Sequence, residues 1–99
     1  MILVEMLPFL GGDIPLANFG LPGTSELGLE AVKVLKGRNS CLLANHGVLV
    51  VGNNLDQAYI RAVYVEDAAT IYHRARQMAT PKLIPKDAID VLKKKYNLV

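Results

Sequence analysis

Apolar and polar positions follow two different periods along the chain, and each change of period marks an element. From Ile2 to Leu10 the sequence is apolar with Pro8 inside, a pattern open to either a helix end or a strand. Gly11-Gly12-Asp13 predicts a turn, and Ile14-Pro15-Leu16-Ala17 a short strand. Pro15 cannot donate to a ladder, which places that strand at an edge or makes the proline its first residue. After Phe19, Gly20-Leu21-Pro22-Gly23 reads as a loop. Thr24 or Ser25 then caps a helix with Glu26 in its first turn; Leu27, Ala31 and Val34-Leu35 form its apolar stripe and Gly37 its end.

Two short apolar runs follow, Ser40 to Asn45 and the β-branched Val48-Leu49-Val50-Val51, joined by Asn45-His46-Gly47. Asparagine and glycine both tolerate positive φ, so the pair predicts a β-hairpin. Asn54 or Asp56 caps a long helix whose apolar positions Leu55, Ala58-Tyr59, Ala62-Val63, Ala69 and Tyr72 recur at three- and four-residue intervals to about Met78. Thr80-Pro81 stops it. Pro85 opens a last short helix with Asp87 in its first turn and Lys93-Lys94-Lys95 in its last, the charge order that complements the backbone dipole. The sum is an α/β arrangement: a small sheet of three or four strands flanked by helices, covered on one face and expected to be covered on both. So small a sheet leaves a long uncovered boundary, which predicts self-association.

Composition narrows the classes. At 99 residues the chain is one domain, and 52% hydrophobic against 20% charged residues excludes intrinsic disorder as its resting state. A formal charge of +2, with only Lys93 to Lys95 as a basic run, does not suggest nucleic acid. No apolar run spans a bilayer, and the N-terminal stretch carries Glu5 and no basic flank, unlike an export signal. The single cysteine, Cys41, lies in the apolar run Cys41-Leu42-Leu43-Ala44, where a small buried hydrophobe fits, and a cytoplasmic setting is expected.

His46 is the strongest candidate for chemistry, a metal-capable side chain at a strand end, although turn histidines are mostly solvated bystanders. The other histidine, His73, falls inside the long helix beside Arg74 and Arg76 and reads as surface. A catalytic zinc needs about three protein ligands, and no HxH, HExxH or CxxC pair supplies two from one local geometry. Gly23-Thr24-Ser25-Glu26 faces a helix N-terminus, which favours anions, but capping explains it as well. Tyr59, Tyr64 and Tyr72 read as core or subunit contacts, and Glu66 and Asp67 as polar-face residues paired with Arg61 or Arg74. Tyr96 sits in the polar segment Lys94-Lys95-Tyr96-Asn97-Leu98, where burial against its own domain is not implied.

Four motifs occur in order: Gly11-Gly12-Asp13-Ile14-Pro15, Pro22-Gly23-Thr24-Ser25-Glu26-Leu27, Leu42-Leu43-Ala44-Asn45-His46-Gly47-Val48 and Asn54-Leu55-Asp56-Gln57-Ala58. Together they resemble the class II aldolase/adducin family, nearest to its fuculose-phosphate aldolase members, from about Leu3 to Leu98. The resemblance covers the C-terminal half of a family member, which makes residues 1–99 a single partial domain and the fold a partial three-layer αβα sandwich. It implies zinc-dependent, reversible aldol cleavage of a ketose phosphate such as L-fuculose 1-phosphate, with His46 as one zinc ligand and Tyr96 as the catalytic tyrosine of the C-terminal tail. The family's H-x-H ligand pair, its acidic residue and most of its phosphate loops belong to the other half. Its interface tyrosine falls here at Glu5, and no substrate contact carries over to Pro22.

Zinc in such a site acts as a Lewis acid on the carbonyl and hydroxyl oxygens of the sugar phosphate, which one histidine cannot arrange. The isolated chain is therefore expected to be inactive, and its expected partners are the missing N-terminal half or further copies of itself, with a sugar phosphate as substrate once completed. The resemblance leaves open a non-catalytic, adducin-like interaction module and relatives that carry out pentulose-phosphate 4-epimerisation or thiosugar-phosphate dehydration.

Overall fold

The computed structural model describes residues 1–97. Leu98, the last residue of the tail segment considered above, lies outside the described residues. The undecided N-terminal run folds as a short helix, α1, over Met6–Leu10, with Leu7 and Leu10 fully buried. Gly11 ends it in the left-handed region at φ 82°, its N–H bonded to the carbonyl of Leu7 at 2.9 Å.

The predicted short strand is Leu16–Ala17, β1, with Pro15 just outside it, where its carbonyl accepts from the Leu42 N–H at 2.8 Å. Helix α2 covers Ser25–Val34 and stops three residues short of Gly37, the expected end; Leu35 caps it, and Gly37 takes up φ 68° in the loop beyond. Thr24 occupies the N-cap position, but its hydroxyl does not cap the helix: it donates to the Leu21 carbonyl at 2.7 Å and closes the preceding loop instead.

Strands β2, Ser40–Leu43, and β3, Gly47–Val50, form the predicted hairpin. In the sheet order β1-β2-β3, β1 and β2 run parallel with α2 as their crossover, and β2 and β3 run antiparallel. The long helix α3, Leu55–Met78, is about 36 Å long at 1.5 Å per residue. Asn54 caps it, its side chain accepting from the Gln57 N–H at 2.8 Å while Gln57 accepts from the Asn53 N–H at 2.6 Å, a near relative of the capping box. Helix α4, Lys86–Lys95, begins after Pro85 as its charge order predicts.

The core lies between α1 and α3, where Met6, Leu10, Val65 and Ala68 form a buried cluster flanked by Ile2, Leu3, Ile14, Val50 and Tyr64. Phe9 stacks on Tyr64 with ring centroids 4.0 Å apart. Strand alternation turns Leu42 and Val50 toward this side and Cys41 and Ala17 the other way. Cys41 and Ala17 are fully buried, and α2 is the helix packed on β1 and β2.

The sheet is less well covered than its composition suggests. Leu16, Leu42 and Val48 are register partners in one row across all three strands, and they remain 62%, 39% and 48% exposed. The accessible surface totals 7036 Å², against about 5,500 Å² for a folded monomer of this mass. The radius of gyration, 14.2 Å, likewise exceeds the roughly 12.6 Å of a fully compact chain of this length. Tyr59 is 72% exposed within the chain, which leaves, of its two readings, the subunit contact. One expectation on α3 needs correction. Glu66 and Asp67 form no ion pair among the described residues, since Arg61 reaches back to the Val51 carbonyl at 2.6 Å instead.

Candidate functional site

The hairpin tip is built by backbone conformation. Asn45 and Gly47 both adopt positive φ, 65° and 149°, as the composition of the turn predicted, and this reversal lifts His46 to the end of the sheet. Its imidazole does not float in solvent, although the residue as a whole is exposed. Nε2 lies 2.9 Å from the Gly20 carbonyl oxygen, and the ring stacks on Phe19, with centroids 5.5 Å apart and planes 8° from parallel. Phe19 and Gly20 were read from the sequence only as the start of a loop. The signal that could have singled them out is an aromatic residue beside a glycine one turn ahead of a helix.

The remaining candidates are dispersed. Tyr96 follows α4 as its C-cap residue and is 36% exposed. Helix α4 packs against α1, and no hydrogen bond or ring stack joins Tyr96 to His46 among the described residues. Glu5 borders a cleft of about 330 Å³ with Tyr64 and Asp67, between the N-terminal segment and α3. A larger, mainly apolar cleft of about 450 Å³ opens between Ile14, Leu42, Ala69 and Tyr72. Neither cleft includes His46 or Tyr96. His73 is exposed on α3 and hydrogen-bonded to Gln77 at 2.8 Å. Cys41 is sealed inside, and burial pushes its thiol above the ordinary 9.0, which makes it a poor nucleophile.

No three His, Cys, Asp or Glu side chains converge on one point among the described residues. A bound zinc needs about three such ligands, and this chain brings one imidazole to the hairpin tip. The donor set within the chain therefore does not fit a resident metal. What the arrangement supplies is a single, oriented imidazole at the hairpin tip.

The model of the Class II Aldolase and Adducin N-terminal domain matches residues 1–73, and the chain belongs to this family. It is 37% identical over 86 residues to a 5-methylthioribulose-1-phosphate/5-deoxyribulose-1-phosphate aldolase of Rhodospirillum rubrum, covering 87% of this chain and 39% of that protein. It is 33% identical over 91 residues to a 5-deoxy-D-ribulose 1-phosphate aldolase of Bacillus thuringiensis, covering 92% and 43%. Among solved structures, an L-fuculose 1-phosphate aldolase superposes with a TM-score of 0.85 at 33% identity, over 94% of this chain and 44% of that one. The chain thus spans about two fifths of the length of the relatives it matches. Members of the family act on sugar phosphates and are generally metal-dependent and oligomeric. No helix among the described residues is long and apolar enough to cross a membrane.

Proposed function

We propose that this chain is a part of a metal-dependent sugar-phosphate aldolase, the C-terminal half of the catalytic domain, which contributes His46 as one ligand to a zinc ion held mainly by residues outside it. The observation that carries this reading is His46 itself: the imidazole stands oriented at a hairpin tip, within the region matched by the family model. Tyr96, on the tail after α4, is the proposed proton-transfer residue. The substrate class is a ketose 1-phosphate, the chemistry shared by the named substrates of the matched relatives. Surface area supports completion by another segment, since the chain exposes about 1,500 Å² more than a self-contained monomer of its mass. The reading includes a cytoplasmic, oligomeric enzyme, in keeping with one buried, reduced cysteine.

A lone imidazole binds zinc weakly and offers neither a phosphate clamp nor a base, so the chain by itself is expected to be inactive. The test combines it with the segment of the Rhodospirillum rubrum relative that lies outside the match, followed by metal analysis and an assay of aldehyde release from 5-deoxyribulose 1-phosphate. The expected result is about one zinc per complex and turnover, both lost in His46→Ala. A complex that forms without zinc or turnover would instead favour a non-catalytic, adducin-like assembly module, the reading to which the open row Leu16, Leu42 and Val48 also lends itself.

A further inference from the structure

The outer side of α3 is apolar where a surface helix is ordinarily polar. Leu55, Tyr59 and Val63 recur every four residues on the side turned away from the buried Val65 and Ala68, and Leu55 and Tyr59 are 88% and 72% exposed. A helix that is apolar on opposite sides is one that becomes covered on both. Beside this ridge lies a groove of about 420 Å³, walled by Pro8 and Phe9 of α1 and by Gln57, Ile60 and Arg61 of α3. Its walls are fixed within the chain: Phe9 stacks on Tyr64 with centroids 4.0 Å apart, and Arg61 donates to the Val51 carbonyl at 2.6 Å. Ile60, next to Tyr59, is itself exposed, so ridge and groove form one continuous face.

We propose that this face is an interface with a second copy of the chain, in which the Tyr59 ridge of each copy seats in the Phe9–Ile60 groove of the other. A twofold contact requires a single patch to present both halves of the fit, and a ridge beside a groove does so. Tyr59 has the form of an interface anchor, a large apolar ring with a hydroxyl left for the rim. The area agrees. A standard interface takes about 800 Å² from each partner, roughly half of the surface by which the chain exceeds a self-contained monomer of its mass. None of Leu16, Leu42 and Val48 lines the groove, so the open sheet row is left for a different partner. The proposal goes beyond the aldolase reading, which names no surface for its oligomer, and depends on neither zinc nor turnover.

Sedimentation equilibrium of the full chain and its variants tests the proposal. Tyr59→Glu on the ridge and Ile60→Glu in the groove are each expected to weaken association at least about thirtyfold, the scale of a lost tyrosine anchor. Tyr59→Phe, which keeps the ring, is expected to associate like the parent. In an equimolar mixture of Tyr59→Glu and Ile60→Glu, the intact ridge of one meets the intact groove of the other and one of the two contacts returns. The mixture is expected to associate about fivefold more tightly than either variant alone, the square root of that loss. Both substitutions place a good helix former at an exposed helix position; should either fail to fold by circular dichroism, Tyr59→Ala and Ile60→Ala repeat the comparison. A parent chain that stays monomeric to about 1 mM overturns the proposal, as does unchanged association in Tyr59→Glu or a mixture no tighter than its parts. If Tyr59→Glu loses binding to the complementary segment but not to itself, the face belongs to that segment and the proposal is equally overturned. Zinc content and turnover of the reconstituted complex read the aldolase proposal separately, since neither enters these comparisons.

Discussion

The α1–α3 cluster and the hairpin tip divide the work of the molecule. In the first, Leu7 and Leu10 are fully buried and Val65 and Ala68 almost so, and the contacts are dispersive and non-directional. In the second, Phe19, Asn45, His46 and Val48 are all exposed, and order comes from two positive-φ residues, one hydrogen bond and one ring stack. The comparison teaches that orientation does not require burial: a few directional contacts on a rigid hairpin hold a side chain that the core never touches. It also explains how a chain two fifths the length of its relatives keeps their geometry, with a TM-score of 0.85, while leaving a sheet face open.

Three measurements sharpen the contrast, beginning with the largest effect. Leu10→Ala removes a fully buried side chain from the cluster and is expected to cost about 2–5 kcal/mol in urea denaturation, a large share of the roughly 5–15 kcal/mol that holds a domain together. A denaturation midpoint unchanged by this substitution would show that α1 stands outside the cooperative unit. An intermediate effect comes from the opposite face of the sheet, where burial raises the Cys41 thiol above its ordinary 9.0. Below that value the thiol is protonated in both folded and unfolded states, so its contribution to stability does not change with pH. Above it the unfolded thiol ionises first, and stability falls as pH rises toward the higher folded value. Denaturation midpoints from about pH 7 to about pH 10.5 should show this decline, and Cys41→Ala should flatten part of it. An equal slope in both proteins would place the thiol in contact with water.

The smallest effect is expected in the open row. Val48→Thr keeps a β-branched residue on β3 and is expected to change stability by less than about 0.5 kcal/mol, because Val48 is 48% exposed. The same change should weaken self-association measured by size-exclusion chromatography over a range of concentrations. A loss of stability as large as that of Leu10→Ala would mean the row is covered within the chain and would dissolve the contrast between the two regions.

Local chemistry was legible wherever a rule acts over a few residues. The hairpin at Asn45-His46-Gly47, the cap at Asn54, the entry of α4 at Pro85 and the burial of Cys41 all follow from φ preferences, capping geometry and short-range hydropathy. Pairings between distant segments were not. Thr24 reads equally well as a helix cap, yet its hydroxyl closes the loop on Leu21, a choice made by the backbone path into α2. Arg61 lies within two turns of Glu66 and Asp67 on α3, yet the Val51 carbonyl, just past β3, captures it. The uncovered row Leu16, Leu42 and Val48 was likewise hidden, because exposure depends on which helices pack where.

The order of the elements from Gly11 onward, the hairpin and the candidacy of His46 were thus determined by sequence alone, since backbone conformation and period are properties of neighbouring residues. Tertiary structure alone decided that Gly20 presses against Leu27, that its carbonyl meets His46 and that Phe19 stacks beside it. The hydrogen bond between Gly20 and His46 joins positions 26 residues apart through a loop and a crossover helix. No local periodicity encodes such a meeting; it arises when packing brings the loop, α2 and the hairpin to one place.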